Sequence, residues 1–204
     1  VYIGHNPFER KLVVPRPINF GIESILSSTL RETDYVNKHG IEIKSMNWNP
    51  FVLIGGKKHY YQRDFVWNLE QKQSLIDSIY NELDCGKIVV IKRDFSEVDN
   101  EVDPELCYFN EIVDGKQRLS TIFDFVNDVF PDSNGYYFGE LSKVAQREFE
   151  SKQCIGYAEF RGYVAPEDII RQFLMINHTG VPQSPEHINY VKEILNTLTT
   201  DEEV

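Results

Sequence analysis

A strand that turns on glycine into a helix is the feature that most constrains what this chain can fold into. Residues 107–113, which close on the apolar pair Ile112-Val113, are typical of a β-strand, and Asp114-Gly115 ends it. Apolar residues then recur at helical spacing over residues 116–130, which predicts a helix. Its predicted inner face comprises Leu119, Ile122, Phe123, Val126 and Phe130. A βα junction of this kind leaves backbone N–H groups unpaired at the helix N-terminus.

The polar residues at this junction allow two interpretations. Unpaired N–H groups and the positive end of the helix dipole can cradle a phosphate. Asp114 could then hold a metal ion or a water molecule, and Arg118 could reach a phosphate oxygen with a forked pair of bonds. In the alternative, Asp114 caps the helix and Arg118 pairs with a surface acid. The turn alone does not separate the two interpretations.

The charge distribution argues against strong unaided binding to duplex DNA. The formal net charge is −11, whereas a general DNA-binding protein presents a basic surface. The acids are uneven, and two groups account for most of the excess: Asp94, Glu97, Asp99, Glu101, Asp103 and Glu105, then Asp201, Glu202 and Glu203. Without them the chain is near neutral, so a local basic groove remains compatible with the sequence. We expect residues 94–105 to form a solvated loop.

The densest basic and aromatic window spans residues 57–67, Lys-Lys-His-Tyr-Tyr-Gln-Arg-Asp-Phe-Val-Trp. Interleaved cations and rings can stack on and pair with a nucleotide or a single strand. The same pattern is typical of a half-buried strand with a charged edge.

The remaining pattern predicts one α+β domain. We expect helices at residues 22–30, 69–83, 141–151, 166–176 and 185–198, the second capped by Asn68. We expect strands at residues 41–44, 51–54, 87–91, 107–113, 136–138 and 155–160. Residues 1–16 are rich in charge and proline and predict an extended arm.

Cysteine and histidine usage predicts a cytoplasmic protein without a structural metal. Cys85, Cys107 and Cys154 are far apart in sequence and odd in number, without zinc spacing. The five histidines form no HExxH motif and no cluster with cysteine. No run of 18 apolar residues occurs, so we expect no membrane association.

Three stretches in order resemble one family. Tyr61-Gln62-Arg63 followed by Trp67 matches its first motif, and Asp114-Gly115-Lys116-Gln117-Arg118 its second. A third block is matched by Phe173, Asn177, Gly180 and Ser184. On these motifs the chain resembles the bacterial and phage domain family of unknown function with an Asp-Gly-Gln-Gln-Arg signature, placed in the ParB/sulfiredoxin-like superfamily. Lys116 replaces the first glutamine of that signature.

The resemblance implies a ParB/sulfiredoxin-like mixed sheet with surrounding helices over residues 41–204, preceded by an arm and a short helix at residues 1–40. It implies nucleotide phosphates bound at the glycine-to-arginine turn, with Asp114, Gln117 and Arg118 catalytic. Gln117 would position a phosphate or an attacking water, and Asp114 would hold Mg²⁺. The implied nucleotide-binding residues are Gln62, Arg63, Gly115, Lys116, Asn177 and Gly180. Asn177 can equally be a helix C-cap, and Lys116 either makes the site more cationic or points to solvent.

Relatives of the signature family hydrolyse nucleotides in modification-dependent restriction and phage-defence systems, so the resemblance implies a bacterial or phage-encoded nucleoside triphosphatase with DNA, a nuclease or a modification protein as partner. Three alternatives stay open. They are a ParB-like DNA nuclease, a non-catalytic interaction module, and a kinase of a DNA-modification pathway. The sequence does not indicate the nucleotide or the oligomeric state.

Overall fold

A five-stranded mixed sheet forms the centre of the molecule. The computed structural model describes residues 15–30, 34–177 and 184–200, with the side chain of residue 177 left aside. The sheet has the order β1-β7-β5-β6-β2. These strands are β1 (Arg16–Ile18), β2 (Lys44–Asn47), β5 (Lys87–Lys92), β6 (Tyr108–Asp114) and β7 (Gly156–Arg161). Strands β5 and β7 are parallel, as are β2 and β6, whereas β5 pairs antiparallel with β6 and β1 with β7. The predicted α+β class with a mixed sheet is therefore confirmed.

A separate hairpin and the helices complete the described fold. The hairpin consists of β3 (Phe51–Ile54) and β4 (Lys57–Tyr60), joined by Gly55-Gly56. The helices are α1 (Ile22–Leu30), α2 (Leu69–Tyr80), α3 (Phe95–Asp99), α4 (Lys116–Val126), α5 (Lys143–Ser151), α6 (Pro166–Asn177) and α7 (Pro185–Thr200). Over the described ranges, none of these helices is long and apolar enough to cross a membrane.

Strand β5 shows why the core has two halves. Ile88 and Val90 point to the face covered by α1, α2, α4 and α5, and Val89 and Ile91 point to the face covered by α6 and α7. All four side chains are buried, since both faces of the strand are covered. The unbroken apolar run at residues 88–91 follows from this burial, because alternation is needed only where one face meets water.

The segment between β4 and α2 is fixed at both ends. Tyr61, directly after β4, is fully buried against Phe173 of α6, with ring centroids 5.5 Å apart. At the other end, Asn68 accepts a hydrogen bond from the Gln71 N–H and donates its own N–H to the Gln71 side chain. This capping box confirms the predicted start of α2. Residues 61–67 are thus held between two anchored elements.

Two predicted strands are wrong because a polar side chain closes a turn there. The Asn37 side chain accepts hydrogen bonds from the N–H groups of His39 and Ile41, so residues 41–44 make only an isolated bridge and the strand begins at Lys44. The Asp132 carboxylate likewise accepts from the Asn134 and Tyr136 N–H groups. Residues 136–138 therefore lead into a 3₁₀ helix at Phe138–Glu140 rather than forming a strand.

Other predictions erred in detail. The acidic stretch is not merely a solvated loop: it contains α3, whose Val98 is buried, and Arg93 forms an ion pair with Glu101. The inner face of α4 includes Phe125, which is fully buried, whereas Phe123 is 37% exposed. Helices α2 and α4 each end a few residues before the predicted boundary. The predicted arm falls mainly on residues outside the described ranges.

Candidate functional site

The junction between β6 and α4 is a tight turn that only glycine fits. Gly115 adopts a left-handed conformation with φ of +89°. A Cβ atom at this position would lie 2.9 Å from the Ile88 side chain and 3.1 Å from the Lys87 carbonyl oxygen. Both the positive φ and the close approach of β5 therefore demand glycine. The turn brings the start of α4 against the start of β5.

The start of α4 leaves backbone donors without acceptors. Gly115 provides no side-chain cap, and the first backbone bond into the helix runs from the Leu119 N–H to the Gly115 carbonyl, at 2.8 Å. Across the described ranges, the N–H groups of Lys116, Gln117 and Arg118 have no hydrogen-bond acceptor. The sequence interpretation in which Asp114 caps the helix gains no support from the side-chain hydrogen bonds of this turn.

Two charged side chains at the turn, Asp114 and Arg118, and a third that acts on Asp114 electrostatically, Arg63, form what we call the charged rim. The Arg118 Nη2 atom donates to Asp114 at 2.8 Å and to the Lys87 carbonyl at 2.6 Å. Arg118 Nε is buried without a partner in the described part of the chain. Arg63, half-buried, acts electrostatically on Asp114 and makes no side-chain hydrogen bond with a described residue. Burial raises the pKa of the Asp114 carboxyl, although Arg118, the Gly115 N–H and Arg63 all act to lower it.

Three further motif residues bind backbone instead, and we call Gln62, Lys116 and Gln117 the clasp. The Gln117 side-chain oxygen accepts from the N–H groups of Val66 and Trp67, at 3.0 and 3.3 Å, and its nitrogen donates to the Asp64 carbonyl at 3.0 Å. The Gln62 side chain donates to the Val113 carbonyl at 2.6 Å. The clasp thus ties residues 61–67 to the turn and holds Arg63 beside Asp114.

Lys116 belongs to the clasp and does not point to solvent. It is 8% exposed, and its ammonium donates to the Asn49 side chain at 2.7 Å and to the Arg63 carbonyl at 3.0 Å. Burial lowers the pKa of this ammonium, and the nearby Asp64 carboxylate acts in the opposite direction. Of the two sequence alternatives for Lys116, the solvent-facing one is therefore wrong.

A buried carboxyl group that the sequence analysis overlooked supports the same segment. Glu111, on β6, accepts hydrogen bonds from the hydroxyl groups of Tyr61, at 2.7 Å, and Tyr108. Burial raises the pKa of Glu111, while both tyrosine hydrogen bonds favour its charged form. An acid within an apolar strand is a detectable signal, because a buried polar group needs partners. The Tyr61 carbonyl in turn lies 2.9 Å from Nε2 of His187, on α7.

Only part of the third motif block lies within the described residues. Phe173 packs on Tyr61, and the Ser184 hydroxyl accepts from the His187 N–H at the start of α7. Asn177 is the last residue of α6, but its side chain, and Gly180 as a whole, lie outside the described residues. Their predicted roles in nucleotide binding remain predictions.

The described residues around the turn show no cluster of metal-binding side chains. Asp114 is the carboxylate there, and its electrostatic partners include two arginines, which disfavour a divalent cation. Over residues 15–30, 34–177 and 184–200, no group of three histidine, cysteine or acidic side chains is arranged to hold a metal ion. The predicted role of Asp114 in holding Mg²⁺ therefore stays a prediction.

Comparison with known proteins places this site in a family. The model of the GmrSD restriction endonuclease, N-terminal domain, matches residues 56–198, which is more than two thirds of the 204 residues. The match includes β4, the segment at residues 61–67, the turn at Gly115, helix α6 and all but the last two residues of α7. No curated protein and no solved structure matches the chain. The chain belongs to the family of GmrSD restriction endonuclease N-terminal domains.

Proposed function

We propose that the start of α4 binds the phosphates of a nucleoside triphosphate, and that the chain is the nucleotide-hydrolysing domain of a DNA restriction or phage-defence system. The family supplies the setting, because its members are N-terminal domains of a restriction endonuclease. The site supplies the chemistry. The observation that carries the proposal is the set of three N–H groups without acceptors among the described residues, next to an Asp114 carboxylate on which both Arg118 and Arg63 act.

The geometry of the turn supports phosphate binding at this point. The unpaired N–H groups and the positive end of the helix dipole attract an anion. Arg118 uses Nη2 for Asp114 and Lys87, and Nη1 has no hydrogen-bond partner within the described ranges. Arg63 adds a second guanidinium group, which the clasp positions. Two arginines suit a triphosphate better than one, because charge-assisted bonds to several oxygens add up.

In a hydrolytic reaction at this site, Asp114 and Gln117 have different roles from those that the motif alone suggests. The Gln117 amide already binds three backbone groups, so its role here is to position the segment that carries Arg63. Asp114 is the carboxylate available to accept a proton from an attacking water, and a raised pKa favours that role near neutral pH. Both arginines would neutralise developing charge on the phosphate. Mg²⁺ enters this proposal bound to the triphosphate itself.

A binding module without turnover is the second candidate. The occupied Gln117 amide favours it, since Gln117 is then not available to orient water. In that case the nucleotide would set the arrangement of the domain for a partner protein. The two candidates share the phosphate site and differ only in phosphate release.

The test combines binding and turnover on matched arginine variants. Purified protein is titrated with ATP, GTP, CTP and UTP in magnesium buffer, and phosphate release is followed with and without DNA. Arg118→Ala should weaken nucleotide binding about tenfold to over a hundredfold, because a charge-assisted pair contributes about 1.5–3 kcal/mol. Arg147→Ala, an exposed arginine on α5, is the control and should bind like wild type.

Asp114→Asn separates the two candidates. It should retain most of the binding and lose phosphate release if Asp114 is the proton acceptor. Unchanged nucleotide affinity in folded Arg118→Ala would refute the phosphate site. Binding without release by the wild-type protein, with DNA present or absent, would establish the module.

A further inference from the structure

Two cysteines that are remote in sequence meet beside the charged rim. Cys85 precedes β5 and Cys154 precedes β7, and the Cys85 N–H donates to the Cys154 carbonyl at 2.9 Å. Each thiol is half-buried, and each influences the pKa of the other. Cys107, by contrast, is fully buried near Asn37. The fold therefore creates a thiol pair that the spacing of the cysteines does not indicate.

This thiol pair is adjacent in sequence to the backbone that binds the Arg118 side chain. The residue after Cys85 is Gly86. A Cβ atom added at Gly86 would lie 3.5 Å from the guanidinium carbon of Arg118. The next residue, Lys87, accepts the Arg118 hydrogen bond at 2.6 Å. The Cys85 thiol donates to the Leu83 carbonyl at 3.1 Å, so a new bond to its sulfur must shift this short segment.

We propose that Cys85 and Cys154 form an oxidisable dithiol that peroxides convert into an intramolecular disulfide, and that this disulfide regulates the Arg118 phosphate site. The backbone spacing suits the bond. Cys85 and Cys154 lie two residues before the paired positions Lys87 and Gly156, and a backbone hydrogen bond joins them. Neighbouring paired segments lie about 4.8 Å apart, and disulfides join Cα atoms about 4.4–6.8 Å apart. The regulatory half of this proposal rests on the proposed function; the disulfide itself does not.

The reaction needs only the peroxide and the two thiols. A thiolate attacks one peroxide oxygen, the O–O bond breaks, and a sulfenic acid and hydroxide form. The hydroxide takes up the proton that the first thiol released on ionising and becomes water. The second thiol attacks the sulfenic sulfur, the S–S bond forms, and a second water leaves. One peroxide is reduced and two thiols are oxidised.

The thiols should react slowly at neutral pH. Burial raises the pKa of Cys85 to about 12 and also raises the pKa of Cys154. The thiolate fraction of such groups rises about tenfold per pH unit well below the pKa. Oxidation should therefore be faster at pH 9 than at pH 7, by up to about a hundredfold, and at neutral pH the pair responds to sustained rather than brief oxidation.

Mapping the bond is the first test. Reduced protein is treated with hydrogen peroxide at pH 7, 8 and 9, and the product is digested without reductant and analysed by mass spectrometry. We expect a cross-linked peptide containing Cys85 and Cys154, formed faster at higher pH and lost on treatment with a thiol reductant. Cys107→Ser should form it unchanged, whereas Cys85→Ser and Cys154→Ser should not. Absence of the cross-link at pH 9, or a bond to Cys107, would overturn the dithiol.

The regulatory effect is tested separately with ATP as the probe. A small displacement of Lys87 tilts the guanidinium of Arg118, so the oxidised protein should bind ATP about three- to tenfold more weakly than the reduced protein. Reduction should restore the affinity. Equal affinity in both forms would overturn regulation. If neither form binds any nucleotide, the proposed function fails, and the mapped disulfide still supports the oxidisable dithiol.

Discussion

The clasp and the charged rim come from the same two motifs but have different physical roles. Within one turn of sequence, Lys116 and Gln117 are 8% and 7% exposed and bind backbone, while the side chains of Asp114 and Arg118 are 18% and 23% exposed and bind each other. The first pair determines where residues 61–67 lie. The second pair carries charge to the surface of the turn. A shared motif thus contains a structural half and a chemical half.

The difference arises from the cost of burying polar groups. A buried amide or ammonium must find partners, because each unsatisfied group costs about 1–3 kcal/mol. Gln117 and Lys116 meet this demand with the carbonyl and N–H groups of residues 63–67, which lie in an irregular segment and need partners themselves. The charged rim keeps water access, so its members can exchange partners for a ligand.

The largest expected effect comes from the glycine that joins both halves. Gly115→Ala should lower the free energy of unfolding by about 2–5 kcal/mol, through left-handed strain and a clash with Ile88. Urea denaturation measures the change. Nucleotide binding should fall as well, because a shift of the turn would displace both the backbone N–H groups at the start of α4 and the Arg118 side chain.

The control for this variant is Gly135→Ala. Gly135 has a φ of +88°, and a Cβ there would meet nothing within 4 Å, so only the strain of about 1–2 kcal/mol applies. A Gly115→Ala protein no less stable than Gly135→Ala would contradict the close approach of β5 to the turn.

The clasp itself should be the next most sensitive. Gln117→Ala leaves the Asp64 carbonyl and the Val66 N–H unpaired, and should cost about 2–4 kcal/mol of stability. It should also weaken nucleotide binding, because Arg63 is no longer held beside Asp114. Chemical denaturation and nucleotide titration are the two measurements.

Gln146→Ala is a matched control for the clasp. Gln146 is also buried, and its side chain donates to the carbonyl groups of Phe138 and Leu141, away from the turn. Its loss should destabilise the protein to a similar degree without affecting nucleotide affinity in the folded state. Equal nucleotide affinity in both glutamine variants would show that the clasp does not serve the site.

The sequence predicted the parts of this site that depend on local order. The turn at Gly115, the start of α4 and the capping box of α2 all follow from residues close in sequence. The partners of Lys116 and Gln117 lie about fifty residues away, and no periodicity encodes them. The meeting of Cys85 with Cys154 depends in the same way on the pairing of β5 with β7. Contacts between residues distant in sequence therefore determine which motif residues have a structural role.

The smallest effect should come from the hairpin, whose lysines belong to the same basic window as Arg63. Lys57 and Lys58 lie on β4, where Lys58 forms an ion pair with Glu105 of the acidic stretch and lies 4.8 Å from the Phe51 ring centroid. The Lys58 charge is thus partly neutralised by the protein's own acids, which weakens the window as a DNA-binding surface.

Lys57→Glu combined with Lys58→Glu should leave nucleotide affinity almost unchanged, since neither lysine forms part of the clasp or the charged rim. Titration with nucleotide measures this, and a loss of affinity comparable to that of Arg118→Ala would extend the rim to the hairpin.

With duplex DNA we expect weak binding by the wild-type protein at physiological salt, because the net charge is −11. If DNA is nevertheless bound through the hairpin, the double reversal should abolish binding and the wild-type affinity should fall steeply with salt. Tight, salt-resistant binding of duplex DNA by the wild-type chain would instead mean that DNA, and not only nucleotide, is a direct ligand of this domain.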